Sequence, residues 1–370
     1  MSALRIGVDV REWRAGTSTG IARALTGFLG WAAAHTDHEL LLFGNQRTEQ
    51  RISGARVSMH VMRESNRLRW DHRELPRALA ASRADVFYSP YYKGPLLAPC
   101  PVVVTANDLI ELHFPRGSAL RRRLLPWWIR LLLRRAAHVM TLSEHSRGDL
   151  VRLLGIAAER ITAFPLAVDE RFLPSVPAAH IERVRRRYRL PERYALYVGR
   201  CAPHKNVAVL LRTWNTLPAA VAAACPLVLA GGDVDGFRAL AAGRETGAVL
   251  PGFVPDDDLP GLYAGATLMC FPSLYEGFGL PPLEAMACGT AVIAARAASL
   301  PEVLGDAARL VDPRDEGAWA ESVQELLSNR QQRATLAAAG AARARSFTPE
   351  RSGSALLRCL IEAATGPEAA

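Results

Sequence analysis

The stretch Thr267-Leu-Met-Cys-Phe-Pro272-Ser-Leu-Tyr-Glu276-Gly-Phe-Gly279-Leu-Pro-Pro-Leu-Glu284 reads as one strand–turn–helix unit. An apolar run, 267–271, stops at Pro272-Ser273, and a glycine-rich turn follows. Pro281-Pro282 then opens a helix, since proline lacks only an N–H that would be unpaired in a first turn. A short strand that is apolar without alternation suits a parallel sheet buried on both faces. Working outward, strands are predicted near 4–10, 39–43, 57–62, 85–88, 101–106 and 138–142, with helical segments such as 19–34 and 118–136 between them. Further strands are predicted at 194–199, 226–230, 247–250, 290–294 and 308–311. This β-then-α rhythm predicts an α/β fold of parallel sheets covered by helices.

Around Phe164–Pro177 the rhythm breaks into a proline-punctuated connector. A chain of 370 residues suits two domains. The expected division is 1–170 and 171–349, with a final helix in 350–370 returning to the first domain and a frayed tail from about Thr365. Ligands of open parallel sheets bind beyond the carboxyl ends of the strands, so two doubly wound domains facing each other predict a ligand cleft between them.

Hydrophobic residues make up 49% of the chain, enough to bury substantial cores and to exclude a disordered protein. Cys100, Cys201, Cys225, Cys270, Cys288 and Cys359 show no CxxC spacing. Reduced thiols of a cytoplasmic protein are the expectation. The run Leu4–Val10 has no signal-peptide layout, and no segment approaches the roughly 18 uncharged apolar residues of a membrane span. A soluble protein, at most peripheral on the inner face of a membrane, is expected. The net charge of +9 admits nucleic acid, an anionic membrane or anionic substrates as partners.

The chemistry-bearing residues cluster at predicted strand ends. Strand 194–199 runs into Gly199-Arg-Cys-Ala-Pro-His-Lys-Asn206, which places Arg200 and Lys205 beyond its carboxyl end. Arginine offers phosphate a planar fork and lysine a point charge; a solvated basic loop is the bland alternative. Glu276 lies in the turn after strand 267–271, where Gly277, Phe278, Gly279 and Leu280 let backbone N–H groups approach an oxygen closely. Glu284 is expected in the first turn of the following helix, where it can accept from both hydroxyls of a ribose or simply complement the helix dipole. Two carboxylates, a glycine turn and an Arg/Lys pair on one side suit a polyhydroxylated, phosphorylated ligand.

These motifs resemble the family-4 retaining glycosyltransferases of the GT-B fold, and the likeness covers nearly the whole chain. It extends to Ile6-Gly-Val-Asp9, Thr19-Gly-Ile-Ala-Arg23, Asp108-Leu-Ile with Phe114-Pro115, and Ser143–Asp149. It includes Gly252–Leu259, Ser299-Leu-Pro-Glu-Val303 and Gly305-Asp-Ala-Ala with Val311-Asp-Pro313. The resemblance implies two Rossmann-like domains and transfer from a nucleoside-diphosphate sugar, itself the substrate, with no cofactor and no metal. It assigns Arg200 and Lys205 to the donor diphosphate, Glu276 to the transferred sugar, Glu284 to the ribose, and the backbone of Phe253 and Val254 to the base. Gly20 would approach the phosphates. GDP-mannose is the donor it favours, and a lipid-linked saccharide or glycolipid in cell-surface polysaccharide synthesis the acceptor. Other readings are an epimerase or phosphorylase on the same fold, or a non-enzymatic protein binding an anionic surface. No nucleic-acid motif occurs.

One position departs from the family pattern. Where His-Asp is usual after the strand ending near Thr105, this chain has Asn107-Asp108. Asparagine can still hydrogen-bond a donor hydroxyl but cannot act as a base near neutral pH. His113 is a substitute in principle, with a structural role the stronger expectation. Asp233-Val-Asp235 reads as a turn, and Asp256-Asp-Asp258 as a helix N-cap with acidic first-turn residues, rather than as metal sites.

Basic charge concentrates in Arg116–Arg135. On a helical wheel Arg123, Trp127, Arg130 and Arg134 share a stripe, with Leu125, Trp128, Ile129 and Leu132 opposite. An interfacial helix against anionic lipid on the acceptor side fits this pattern, as does a helix packed on the sheet with a solvated Arg face. Pro126 suggests a break or a helix start here. The run Arg183–Arg189 reads as a solvated helix face.

Overall fold

The computed structural model describes residues 3–14, 19–64, 66–173, 175–242 and 247–366; of the expected frayed tail, 367–370 lie outside these. The chain divides into two units, Met1–Ala167 with Thr348–Ala370, and Val168–Phe347.

The first unit holds seven parallel strands: β1 (Arg5–Asp9), β2 (Glu39–Asn45), β3 (Val57–Met62), β4 (Val86–Ser89), β5 (Val102–Ala106), β6 (His138–Thr141) and β7 (Ile161–Ala163). Their order is β3-β2-β1-β4-β5-β6-β7. β4 and β5 are buried at every residue, as expected of strands covered on both faces. The core behind them gathers Phe43, Trp70, Leu79, Phe87, Val104, Ile129, Leu133 and Leu150. β7 was missed by the sequence reading: three residues are too few to establish a period.

The Ala119–Arg135 helix runs unbroken through Pro126, a correction of the expected break. It is capped by Ser118, whose hydroxyl accepts from the Arg121 N–H. The Pro349–Thr365 helix belongs to this unit, packing on the Gly20–His35 helix and over β4, β5 and β6. The approach is close: a Cβ on Gly353 would stand 2.3 Å from the Trp31 ring.

The second unit holds six parallel strands: β8 (Ala195–Val198), β9 (Leu227–Ala230), β10 (Val249–Gly252), β11 (Leu268–Phe271), β12 (Val292–Ala295) and β13 (Arg309–Val311), ordered β10-β9-β8-β11-β12-β13. The chain builds outward from β8 through β9 to β10, then returns beside β8 as β11 and builds the other way. The gap between the carboxyl ends of β8 and β11 is therefore a topological switch point, where ligands of such sheets bind. In the first unit the switch lies between β1 and β4.

One further reading is corrected. Asp258 precedes the Leu259–Ala264 helix but makes no side-chain cap. Its carboxylate instead accepts from Arg183, Arg187 at 2.9 Å and the Tyr188 hydroxyl at 2.8 Å. Arg183 and Arg187 reach that carboxylate while staying exposed, so the basic run 183–189 is a solvated face with two of its arginines tied down. Asp233 does cap its helix, Val234–Ala241, accepting from the Gly236 N–H.

Candidate active site

The loops leaving β8 and β11 meet at the switch point of the second unit. After β8 the chain passes Gly199 and the exposed Arg200, then makes a short Pro203–Lys205 helical turn. Asn206 follows in the left-handed conformation, its φ of 51°, with its carboxamide donating to the Pro313 carbonyl at 2.8 Å. Tyr197 fixes the start of this loop: its hydroxyl donates to the Arg200 carbonyl at 2.9 Å. Burial, together with the Glu276 charge, pushes the Tyr197 hydroxyl well above its usual range, so it remains a donor.

From the other side, β11 leads through Ser273 to Glu276. The two loops are joined twice. The Leu274 N–H donates to the His204 carbonyl at 2.7 Å, and the Lys205 ammonium donates to Glu276 Oε1 at 2.6 Å. Both side chains are mostly buried, and the ammonium also lies 5.4 Å from the Phe271 ring centroid. A close ion pair of this kind is strong because little water screens it.

Behind Glu276, the turn is held from β12. Ser299 is fully buried, and its hydroxyl lies 3.0 Å from both the Glu276 and the Phe278 carbonyl oxygens. One proton shared between two carbonyls is a three-centre bond. Ala298, just before it, sits at φ 50°, a conformation that costs a non-glycine residue about 1 kcal/mol or more. Gly279 has φ 106° and a Cβ there would meet Leu300 at 2.6 Å, so both backbone and space require glycine. Phe278 turns its ring inward, edge-on to Phe347, leaving only its backbone beside Gly277.

The Leu280–Ala287 helix starts at Gly279, and no side chain caps it. Its positive end therefore lies next to Glu276 and the Gly277–Gly279 turn, an arrangement suited to anionic oxygen. Glu284 is the fifth residue of this helix, not in its first turn as the sequence suggested, so dipole complementation does not account for it. It is buried, and Oε2 accepts from the Tyr263 hydroxyl at 3.0 Å. At the end of β10, Phe253 is exposed and Val254 buried.

The remaining expected residues lie in the first unit. Gly20 opens the Gly20–His35 helix, with Thr19 as its cap. Thr19 also donates to Glu12 at 2.8 Å, and Glu12 accepts from Tyr91 at 2.5 Å, so β1 and β4 are bridged at their switch point. Beneath this, Arg11 joins Asp9 at 2.6 Å and Asp71 at 2.8 Å, its guanidinium 3.7 Å from the Trp70 ring centroid. Burial opposes the charge on Arg11, but the two carboxylates outweigh it and raise its pKa further. Asn107 donates to the Pro90 carbonyl at 2.9 Å. His113 Nε2 stands 2.7 Å from Asp149 Oδ2. Arg123, Trp127 and Arg134 are exposed and Arg130 half-buried on the Ala119–Arg135 helix.

Sequence reasoning missed Ser299, Tyr263, Tyr197 and the Arg11 network as parts of the site's support. Ser299 and Asp9 stood inside quoted motifs, but nothing in their spacing indicated which backbone or cation they would hold. Among the described residues no group of three His, Cys, Asp or Glu is placed to hold a metal ion.

Residues 181–343 match the family model described as glycosyl transferases group 1, and residues 19–167 that described as glycosyl transferase 4-like domain. The chain belongs to the family-4 type glycosyltransferases. Among relatives, O-antigen chain mannosyltransferase B of Escherichia coli is 38% identical over 218 residues, 57% of this glycosyltransferase and 57% of the relative. The D-inositol 3-phosphate glycosyltransferase of Salinispora arenicola is 35% identical over 242 residues, 60% of this chain and 54% of the relative. The glycosyltransferase thus spans just over half the length of these curated relatives. Anabaena HepE in complex with UDP and glucose superposes with a TM-score of 0.74 at 20% identity, covering 97% of this chain and all of that one. WaaG, a glycosyltransferase involved in lipopolysaccharide biosynthesis, gives a TM-score of 0.74 at 16% identity, over 98% of this chain and all of WaaG. At these identities the likeness carries the fold, which is GT-B.

Proposed function

We propose that this glycosyltransferase moves a hexose from a nucleoside-diphosphate sugar to a hydroxyl of a lipid-linked saccharide or glycolipid, with retention of anomeric configuration. GDP-mannose is the proposed donor, supported by the mannosyltransferase relatives. Cell-surface polysaccharide synthesis, at the cytoplasmic face of a membrane, is the proposed setting. The observation that carries this reading is the Lys205–Glu276 pair at the switch point between β8 and β11. It brings a cation suited to a diphosphate to a carboxylate suited to sugar hydroxyls.

In this reading Lys205, Arg200 and the start of the Leu280–Ala287 helix take the charge that grows on the diphosphate as the C1–O bond breaks. Glu276 accepts from the sugar's hydroxyls, Glu284 from the ribose, and the backbone after β10 at Phe253–Val254 meets the base. The acceptor oxygen bonds to C1 on the face the phosphate leaves, and its proton passes to a phosphate oxygen of the departing diphosphate. No protein nucleophile and no metal ion are assigned a step. The donor contacts implied for Gly20 and Asn107 belong to the same proposal.

The test is a thermal-shift panel of nucleotide sugars, in which a ligand at about 100 times its Kd adds about 2.7 kcal/mol. GDP-mannose is expected to give the largest shift, lost in Glu276→Ala and Lys205→Ala. Silence of the wild-type protein to every nucleoside diphosphate sinks the reading. An inverted product anomer overturns retention alone.

A further inference from the structure

The Ala119–Arg135 helix carries a ridge that the sequence reading did not isolate. Leu120, Leu124, Trp127 and Leu131 recur at steps of four, three and four, the spacing of one helical stripe. They are 67, 53, 68 and 42% exposed, and Trp128 beside them is 41% exposed. Trp128 was expected on the packed face; the structure turns it out. The packed face is Ile129, Leu132 and Leu133, all buried and diametrically opposite. The helix is therefore apolar on two opposed sides, and only one of them is consumed by the fold. The ridge runs 11 positions, about 17 Å.

Charge decides what this ridge suits. The helix holds six arginines and no acidic residue. Arg123 and Arg134 flank the ridge on one side and Arg121 and Arg135 on the other, all exposed. Arg130 lies with its guanidinium 5.8 Å from the Trp127 ring centroid. On this rim Arg121 stands 3.5 Å from Glu111. A ridge of leucine and tryptophan between rows of arginine matches a bilayer surface. The apolar side chains reach the acyl boundary, about 5–10 Å deep, while the guanidinium groups stay at headgroup level and meet anionic lipid.

We infer that the Leu120–Leu131 ridge is a bilayer-docking surface that inserts into the headgroup region of an anionic membrane, with the helix lying in the membrane plane. This sharpens the membrane setting proposed above but does not depend on the transfer chemistry. Vesicle binding reads the ridge, and sugar transfer to a soluble acceptor reads the chemistry, so either can fail alone.

The experiment is co-sedimentation of the full chain with phosphatidylcholine vesicles, with and without phosphatidylglycerol. Binding to the anionic vesicles is expected, weakening as salt rises. Leu124→Ser with Trp127→Ser is expected to lower the partition coefficient about tenfold or more, at unchanged melting temperature because both sites are exposed. Arg121→Gln with Arg134→Gln is expected to weaken binding to anionic vesicles only, and Arg345→Gln, in the second unit, to change nothing. Quenching of indole fluorescence by brominated acyl chains is expected in the parent and reduced in Trp127→Phe, a check that needs no disruptive variant. Equal binding by parent and ridge variant overturns the inference, as does absence of binding. A parent that sediments as a dimer and becomes monomeric in the ridge variant gives the surface to a second copy and also overturns it.

Discussion

Lys205 and Glu276, 71 residues apart in the chain, face each other at 2.6 Å from two loops that leave adjacent strands. The cation proposed for the diphosphate is paired here with the carboxylate proposed for the sugar. Lys205→Met and Glu276→Gln are each expected to lower kcat/KM by about 10²–10³-fold. Each also leaves a mostly buried charge without its partner, at about 3–5 kcal/mol of stability. The reversed pair, Lys205→Glu with Glu276→Lys, should recover much of the melting temperature but none of the activity. Recovery of both would show that the pair is only a structural tie.

Ser299 touches no proposed ligand atom, yet it holds the two carbonyls that shape the Glu276 turn. Ser299→Ala leaves those carbonyls facing a buried site without their donor, at about 1–3 kcal/mol. The expected result is a donor Kd raised about tenfold, from a turn that no longer presents Glu276 in one position. Isothermal titration with the nucleotide sugar and a thermal melt together check this. A variant that melts earlier but binds donor normally would make Ser299 a purely structural residue.

Tyr263 is the equivalent support for Glu284. The tyrosine is buried edge-on to Phe172, its centroid 5.9 Å away, and its hydroxyl donates to Oε2 of the carboxylate. Tyr263→Phe keeps the ring and removes only that donor, at about 1–2 kcal/mol. Because Glu284 is assigned to the ribose, affinity should fall for nucleoside diphosphates with and without the sugar alike. A loss confined to the sugar-bearing ligand would contradict the assignment.

His138 gives the fold a pH dependence with a definite sign. Burial lowers its pKa below the ordinary 6.5; Glu362 pulls the other way and Arg160 adds to the lowering. The unfolded chain therefore takes up its proton first as pH falls, so stability is full above about 6.5 and declines below it. His138→Gln, which can still meet Thr162, the partner of Nε2 at 2.8 Å, should flatten part of this decline. Melting temperatures at about pH 7.5 and about pH 5.5 measure it; an unchanged slope in the variant would move the effect to other groups.

The strands were legible because buried parallel strands are short apolar runs bounded by turn residues, and twelve of the thirteen described strands lie at or within two residues of positions read from sequence. The candidate site was legible as motifs because parallel pairing places every strand's carboxyl end on one edge of its own sheet. What could not be read was which side chain holds which backbone. Ser299 grips a turn 21 to 23 residues away and Tyr263 reaches Glu284 over 21, contacts that no local period records. Glu284 was misplaced by one turn because Pro281-Pro282 marks a helix start only to within a residue or two. Trp128 was misassigned because a wheel cannot tell the edge of a core face from its middle, and Pro126 because the packing of Ile129, Leu132 and Leu133 holds the helix through a proline that by itself favours a break.

The Pro349–Thr365 helix lies against Trp31 and over β4–β6, in the unit whose first strand is Arg5–Asp9. On a ribosome adding about 5–20 residues per second, the whole of Val168–Phe347 emerges before the piece that completes the unit started first. The second unit is thereby free to close while the first waits with the Gly20–His35 helix partly uncovered. A polypeptide halted after Phe347 should carry a finished second unit and a protease-sensitive first one. Synthesis through Thr365 is what completes the first unit.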